Sequence, residues 1–285
     1  MNADLPRRAV FLAEMGIGPL WIHRSSPLAT VDAAVLEAAP VSPSSAPAEI
    51  APPVVDAAIA VQTVLSAWDD NAAGAPPSRI PAPSPAVLTE LDIAAMDWSE
   101  LKTAVAGCTR CGLCTTRTRT VFGTGDQKAK WLFVGEGPGR NEDLQGEPFV
   151  GPAGKLLDNM LLATGIKRDE NAYIANIVKC RPTDANGRDR APTSEEAATC
   201  LPYLERQIAL IQPAIIVALG KTAALSLLKL PPATPVSKLR GVVHRFADLP
   251  LVVTYHPAYL LRSLTEKRKS WEDLCLAMET YAGET

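Results

Sequence analysis

No run of apolar residues in the chain approaches the roughly 18–20 that a membrane-spanning helix needs, so no such span is expected. A secretory signal is missing too. Arg7 and Arg8 precede apolar residues, but Glu14 interrupts that core and no convincing cleavage site follows. The expectation is a soluble, cytoplasmic protein whose cysteines stay reduced rather than pairing as disulfides. Two nucleotide-binding loops also fail on defined positions. Ahead of Gly154-Lys155, Phe149 replaces the first glycine of a Walker loop, and Leu156 replaces the hydroxyl that would hold magnesium. Gly135, Gly137 and Gly139 follow a strand, but Arg140 stands where a dinucleotide fingerprint needs its third glycine. Basic residues are scarce at the front. Residues 1–100 hold 4 Lys+Arg against 12 Asp+Glu; taken from totals of 28 and 31, this leaves 24 against 19 for 101–285. An acidic front is thus joined to a basic remainder of net +5, which fits a polyanionic partner and equally an ordinary domain.

Ten prolines lie between Pro40 and Pro85, among Ala, Ser and Val. Such a mixture buries little and lacks donors, so 38–88 reads as a linker, interrupted at most by a short helix at "VVDAAIAVQTVLSAW". Residues 1–37, with "RRAVFLAEMGIGPLWIHR", form a small segment of helix and strand whose role the sequence leaves open. From 130 the punctuation is regular. "KWLFVG", "AYIANIV", "AIIVALG" and "LPLVVTYH" read as strands. "PAGKLLDNMLLATG", "TSEEAATCLPYLERQIALI", "KTAALSLLK" and "KRKSWEDLCLAMETYA" read as helices, the second opened by Thr193 or Ser194. Strands alternating with helices imply an α/β domain over 89–285 with a mostly parallel, covered sheet. Ligands of such sheets bind beyond the strands' carboxyl ends, where Gly135–Leu157, Asn176, Gly220 and His256 all fall.

The loop "GEGPGRNEDLQGEPFVGPAGKLL" packs six glycines and three prolines between apolar segments. It offers close backbone approach, a carboxylate at Glu136, the acidic pair Glu142-Asp143, and an aromatic face at Phe149 before a helix starting near Pro152. An aromatic plate beside converging donors suits a flat polar heterocycle better than a phosphate. Taken alone, the loop equally allows Phe149 as core and the acids as solvated. Cysteines fall at 108, 111, 114, 180, 200 and 275. "CTRCGLC" has the spacing that turns two thiolates toward one metal, and Cys180 and Cys200 could complete a set of four. Zinc and a [4Fe–4S] cluster both accept four thiolates, and spacing does not separate them. Cys275, on an amphipathic face, reads as a small buried hydrophobe.

In order along the chain stand "CTRCGL", "RTRTVFGTG", "FVGEGPGRNEDLQGEPFVGPAGKLLDNML", "YIANIVKCRP", "C-L-P-Y-L", "VALGKTA" and "TYHPAYLLR". Together these blocks resemble the family 4 uracil-DNA glycosylases, which carry an iron–sulfur cluster. The resemblance covers about 101–283 and leaves residues 1–100 outside. The stretch around "TDANGRDRA", between Cys180 and Cys200, is longer than in that family and reads as a surface-loop insertion.

The resemblance implies a three-layer α/β/α sandwich with a central four-stranded sheet, and a structural [4Fe–4S] cluster on Cys108, Cys111, Cys180 and Cys200, with Cys114 outside the ligand set. It further implies a monomeric, monofunctional enzyme that flips uracil from single- or double-stranded DNA and hydrolyses the N-glycosidic bond to begin base excision repair. Phe149 becomes the plate under uracil, and Asn176 the amide that pairs with O4 and N3–H. Glu142 becomes the group that crowds C5, where thymine carries its methyl. Glu136 stands where related glycosylases have Gln, and Gly137 where family 1 enzymes have a water-activating Asp. Stabilisation of the departing uracil anion must therefore carry more of the catalysis, with His256 as donor to O2. Only His23 and His244 accompany it in the chain. Leu260 or Leu261 becomes the apolar wedge in the minor groove and Arg262 a phosphate contact; the plainer reading is a helix cap with leucines in the core. The setting is the cytoplasm of a bacterial-type cell, near the nucleoid, with a repair or replication partner open to the N-terminal region. Two rivals remain: a relative that crosslinks to uracil DNA, and a DNA-binding module without turnover. The first is disfavoured, since neither its Gln in "GEGPG" nor its Arg-rich insert with a His is present.

Overall fold

The computed structural model describes residues 89–284; the segment 1–37, the linker 38–88 and the short helix expected within it lie outside the described residues. Helix α1 (Glu90–Ala95) opens on a reciprocal cap in which Thr89 and Asp92 satisfy each other's backbone N–H. Helix α2 (Trp98–Ala106) repeats the device with Asp97 and Glu100. A 3-10 turn at Gly112–Thr115 and strand β1 (Thr124–Gly125) follow. The alternating body then runs β2 (Trp131–Gly135), α3 (Arg140–Gln145), α4 (Pro152–Ala163), β3 (Ala172–Asn176), α5 (Ser194–Ile211), β4 (Ile215–Leu219) and α6 (Lys221–Leu228). It closes with β5 (Val243–Phe246), β6 (Leu249–Thr254), α7 (Pro257–Arg262) and α8 (Lys267–Glu284). Thr193 is the cap of α5, as its hydroxyl and the acids after it lead one to expect.

The sheet runs β1-β3-β2-β4-β6-β5. Its four inner strands are parallel and are the four read from sequence. Alternation along these strands builds two cores. Leu132, Val134, Tyr173, Ala175, Ile216, Ala218, Leu251 and Val253 face α1, α2, α5 and α6. Trp131, Phe133, Ile174, Ile215, Val217, Leu219 and Val252 face α4, α7 and α8, whose Leu156, Leu157, Met160, Leu161, Leu260, Leu274 and Ala277 complete the layer. Three layers follow directly from period-two burial on both faces.

The edges were not expected. β1 and β5 are short and antiparallel to their neighbours. The β5–β6 hairpin turns on Ala247 and Asp248, with φ of 46° and 66°. That is the left-handed pair a two-residue hairpin requires, here without the glycine or asparagine that would announce it.

From β2 the chain passes along the α4 face to β3, whereas from β4 it passes along the α6 face to β6. Connections leaving adjacent strands toward opposite faces open a crevice at their carboxyl ends.

Candidate active site

A pocket of about 200 Å³ occupies this crevice, and Glu136, Gly137, Glu142, Phe149, Asn176 and His256 line it together. Residues 120 positions apart in sequence are therefore brought to one cavity by strand ends alone. Gly135, the last residue of β2, has no room for a side chain: a Cβ there would collide with the Asn176 amide oxygen and lie 2.6 Å from Phe149 Cζ. The Phe149 ring thus lies against bare backbone. Phe149 itself is held at φ 56°, a conformation that bulky residues rarely adopt. Two features hold it there. Arg168 donates to the carbonyls of Pro148 and Phe149 at 2.9 Å each, while pairing with Asp158. Gly154 lets the Phe149 carbonyl approach where any Cβ would clash.

Glu142 combines two tasks. Its carboxylate lines the pocket, but both oxygens are occupied by backbone donors: Gly139 N–H at 3.1 Å, and Val150 and Gly151 N–H at 3.0 Å. It is the brace between the start of α3 and the turn that follows Phe149. Its neighbour Asp143 is buried and accepts from Thr118 and Arg119 N–H, so the acidic pair is not a solvated patch. Glu136 accepts from the Thr222 hydroxyl at the start of α6. Gly137 cannot host a substituted acid without movement, since a Cβ would come within 2.6 Å of Val178 Cγ2.

Asn176 ends β3 and is buried, yet its amide oxygen has no hydrogen-bond partner. Buried polar groups are nearly always paired, so an orphan facing a pocket points to a ligand's donor. His256 caps α7. Its Nδ1 accepts from Ala258 N–H at 3.2 Å, which places the ring proton of the neutral imidazole on Nε2. Burial, reinforced by the Arg262 charge and opposed by Glu142, pulls its pKa down to about 4. The imidazole is consequently neutral at physiological pH and available as an N–H donor. Its ring tilts against Phe149 with centroids 5.5 Å apart. Gly220, at φ 93°, admits it, because a Cβ there would lie 2.9 Å from His256 Cβ.

One expectation is corrected. Leu260 is fully buried in the core beside Phe149, whereas Leu261 is 42% exposed. Neighbouring residues of a helix point about 100° apart, so Leu260 turns into the core while Leu261, like Tyr259 and Leu264, is exposed. Arg262 lies exposed in the last turn of α7. The "TDANGRDRA" loop is exposed over 184–189 as expected, but it also contributes Asp189 and Arg190 to the pocket wall. Arg190 is paired there with Glu196, and Asp189 with Arg181.

A second cavity lies on the other side of the segment that follows β3. Cys108, Cys111, Cys114, Cys180 and Cys200 all line it. Arg117 donates to Cys180 Sγ at 3.2 Å and to the Cys108 carbonyl at 2.7 Å, and the Lys179 N–H points to Cys200 Sγ at 3.3 Å. Burial raises the thiol pKa values of Cys111 and Cys180 and pushes Cys200 up to about 12. Thiols so buried ionise only when a cation offsets the desolvation, and N–H donors already aimed at sulfur suit bound thiolates. Cys275 is half-buried on α8 and does not line this cavity.

Arg168, Thr222, Arg117 and the buried pair Lys179–Gln207 are structurally decisive here and were not singled out from sequence. Only the position of Thr222 after "VALGK", at a strand's carboxyl end, could have flagged any of them.

Residues 122–276 match the protein-family model of the uracil DNA glycosylase superfamily, more than half the chain. The type-4 uracil-DNA glycosylase of Archaeoglobus fulgidus is 45% identical over 163 residues, covering 55% of this chain and 79% of that protein. That of Thermotoga maritima is 45% identical over 160 residues, covering 56% and 80%. That of Sulfurisphaera tokodaii is 40% identical over 195 residues, covering 64% and 86%. The chain belongs to the uracil DNA glycosylase superfamily, in its type-4 branch.

Proposed function

We propose that the chain is a monofunctional uracil-DNA glycosylase acting on single- and double-stranded DNA, as a monomer, in base excision repair. The observation that carries this reading is the unpaired Asn176 amide oxygen, buried in a pocket with a neutral imidazole donor and an aromatic plate. A flipped uracil would stack on Phe149 and give its N3–H to that oxygen, while the amide NH₂ meets O4. Cytosine presents the opposite pattern along the same edge. As the bond from C1′ to N1 breaks, negative charge spreads onto uracil O2, and the His256 Nε2–H donates to it without becoming protonated first. Glu136, fixed by Thr222, sets a carboxylate opposite the sugar as it turns cationic. Water then adds to C1′, and its proton neutralises the uracil anion. Glu142 narrows the C5 side against thymine and holds the turn behind Phe149. Leu261 and Arg262 would wedge the minor groove and meet phosphate.

The cofactor proposed is a [4Fe–4S] cluster on Cys108, Cys111, Cys180 and Cys200. Cys108, Cys111, Cys114, Cys180 and Cys200 line one cavity, and N–H donors of Arg117 and Lys179 aim at two of the sulfurs, which suits bound thiolates. The resemblance to the family 4 enzymes is what favours a cluster over zinc. When bound it supplies structure, clamping the segment before β1 onto the sheet, and no electron to the reaction.

Residues 89–285 are proposed as the catalytic domain, the linker 38–88 and the segment 1–37 serving location or partner binding near the nucleoid in the cytoplasm. Among the described residues no helix is long and apolar enough to cross a membrane. The deciding experiment is uracil release from single-stranded, U·G and U·A DNA, with borohydride present in a parallel reaction. Free uracil and an abasic site with no trapped adduct are expected. Stable protein–DNA crosslinks without release would favour the crosslinking relative, and binding without either would favour a non-catalytic module. A chain starting just before Thr89, so that the α1 cap stays intact, should keep its turnover.

A further inference from the structure

One buried side chain of the cysteine cavity, unused by the mechanism above, reaches the backbone of a pocket residue. Lys179 is 1% exposed and lines the cysteine cavity. Its ammonium donates to the Asn176 carbonyl at 2.9 Å and to Gln207 Oε1 at 2.6 Å. Gln207 is itself fixed, donating to the Phe122 carbonyl at 3.0 Å. The backbone around Lys179 is tied in four directions: Ile177 N–H to Gly135 O, Val178 N–H to Glu136 O, Lys179 N–H to Cys200 Sγ, and Lys179 O to Val121 N–H.

A buried ammonium is costly, and an apolar side chain of similar volume would fill this space at less expense. What the ammonium adds is a donor where the sheet has none. β1 pairs with β3 only through Thr124↔Ile174 and Gly125↔Tyr173, so no strand on that flank reaches Asn176. Without Lys179, the Asn176 peptide would be held on one side only.

We propose that Lys179 is a positioning residue for base recognition. Its ammonium takes the place of a ladder donor, fixing the Asn176 peptide and so aiming the Asn176 amide at the base edge. This rests on the reading of Asn176 given above. The same residue hands Cys200 a backbone N–H, so order in the cysteine cavity is transmitted to the pocket through a single residue.

The test is a double-mutant cycle with Lys179→Met and Asn176→Ala. Single-turnover uracil release, discrimination of uracil over cytosine and inhibition by free uracil are read beside iron content and thermal unfolding. Lys179→Met should keep its iron and lose about 10- to 100-fold in release, the scale of a small misplacement of a recognition group. Inhibition by free uracil should weaken in parallel. On the Asn176→Ala background the same substitution should add little, since coupled residues are not additive. Additive losses, or an unimpaired Lys179→Met beside an impaired Asn176→Ala, would overturn the inference. An unimpaired Asn176→Ala would instead sink the base-reading role and the inference with it. Should Lys179→Met fold poorly, adding Gln207→Leu removes the stranded acceptor. A Lys179→Met/Gln207→Leu protein with wild-type rates and iron would also refute the proposal.

Discussion

The two cavities flanking Asn176–Cys180 are built on opposite plans. The pocket is assembled from strand ends and bare glycines, with the Asn176 amide oxygen left unpaired and the His256 Nε2–H free to donate. The cysteine cavity joins an α2–β1 connection, a strand extension and the middle of α5; Arg117 and the Lys179 N–H are already aimed at sulfur there. The first arrangement leaves donors and acceptors for a visitor. The second gathers thiols suited to a permanent resident. They should therefore fail differently, one in rate and the other in fold.

The largest effect is expected at the cysteines. Cys180→Ala should lose the proposed cluster, and with it the broad absorption near ~400 nm expected of the wild-type protein, and should unfold at markedly lower temperature. Cys114 lines the same cavity. Cys114→Ala should nevertheless retain iron, because the ligand set proposed is complete without it. Metal analysis and thermal unfolding of both variants decide the matter; loss of iron from Cys114→Ala would redraw the ligand set.

In the pocket, His256→Ala should slow base release by roughly 10²–10³-fold, the usual loss for one donor to a developing oxyanion. Affinity for uracil DNA should change much less, since stacking on Phe149 and pairing with Asn176 remain. Rapid-quench release and separate binding at fixed salt give the two numbers. A variant impaired only in affinity would place His256 outside the transition state.

Glu142→Ala lies between the two plans. The residue lines the pocket but also satisfies three backbone N–H groups, so truncation should cost about 2 kcal/mol of stability besides widening the C5 side. Thymine release from T·G should rise while uracil release falls, because the turn behind Phe149 loosens. Glu142→Gln keeps an acceptor and should retain more uracil activity. If T·G remains fully excluded in Glu142→Ala, steric exclusion belongs to another group.

These contrasts also explain what the sequence disclosed. The parallel strands were legible because both faces are buried, which leaves continuous apolar runs at Trp131–Gly135 and Ile215–Leu219. The β5–β6 hairpin was not, since Ala247 and Asp248 adopt left-handed backbone without the usual turn residues. The pocket residues were legible through motif blocks that bring rare types, His256 and Phe149, to strand ends. Lys179 and Arg168 were invisible because a charged residue one position before a cysteine, or in a loop, reads as solvated until burial and partners are known. The rank of Leu260 against Leu261 depends on which face of a six-residue helix is covered, and spacing alone does not fix that.

The smallest expected effect is an absence of response to pH. An exposed histidine titrates near 6.5, but burial holds His256 down to about 4. Because the folded value lies below the unfolded one, the neutral form is favoured by folding. Its contribution to stability is fully present above about 6.5 and is lost as pH falls toward about 4. In the same window the donor itself is unchanged, since Nε2–H is present in the neutral ring. The single-turnover rate should therefore show no inflection from His256 between pH 8 and about pH 5, and should fall only as the ring protonates and the fold weakens. Proton uptake measured by NMR on the His256 ring, alongside the rate profile, separates the two. A rate that rises through an inflection near 6.5 as pH drops would mean that an imidazolium does the work, and that His256 is a charge rather than a neutral donor.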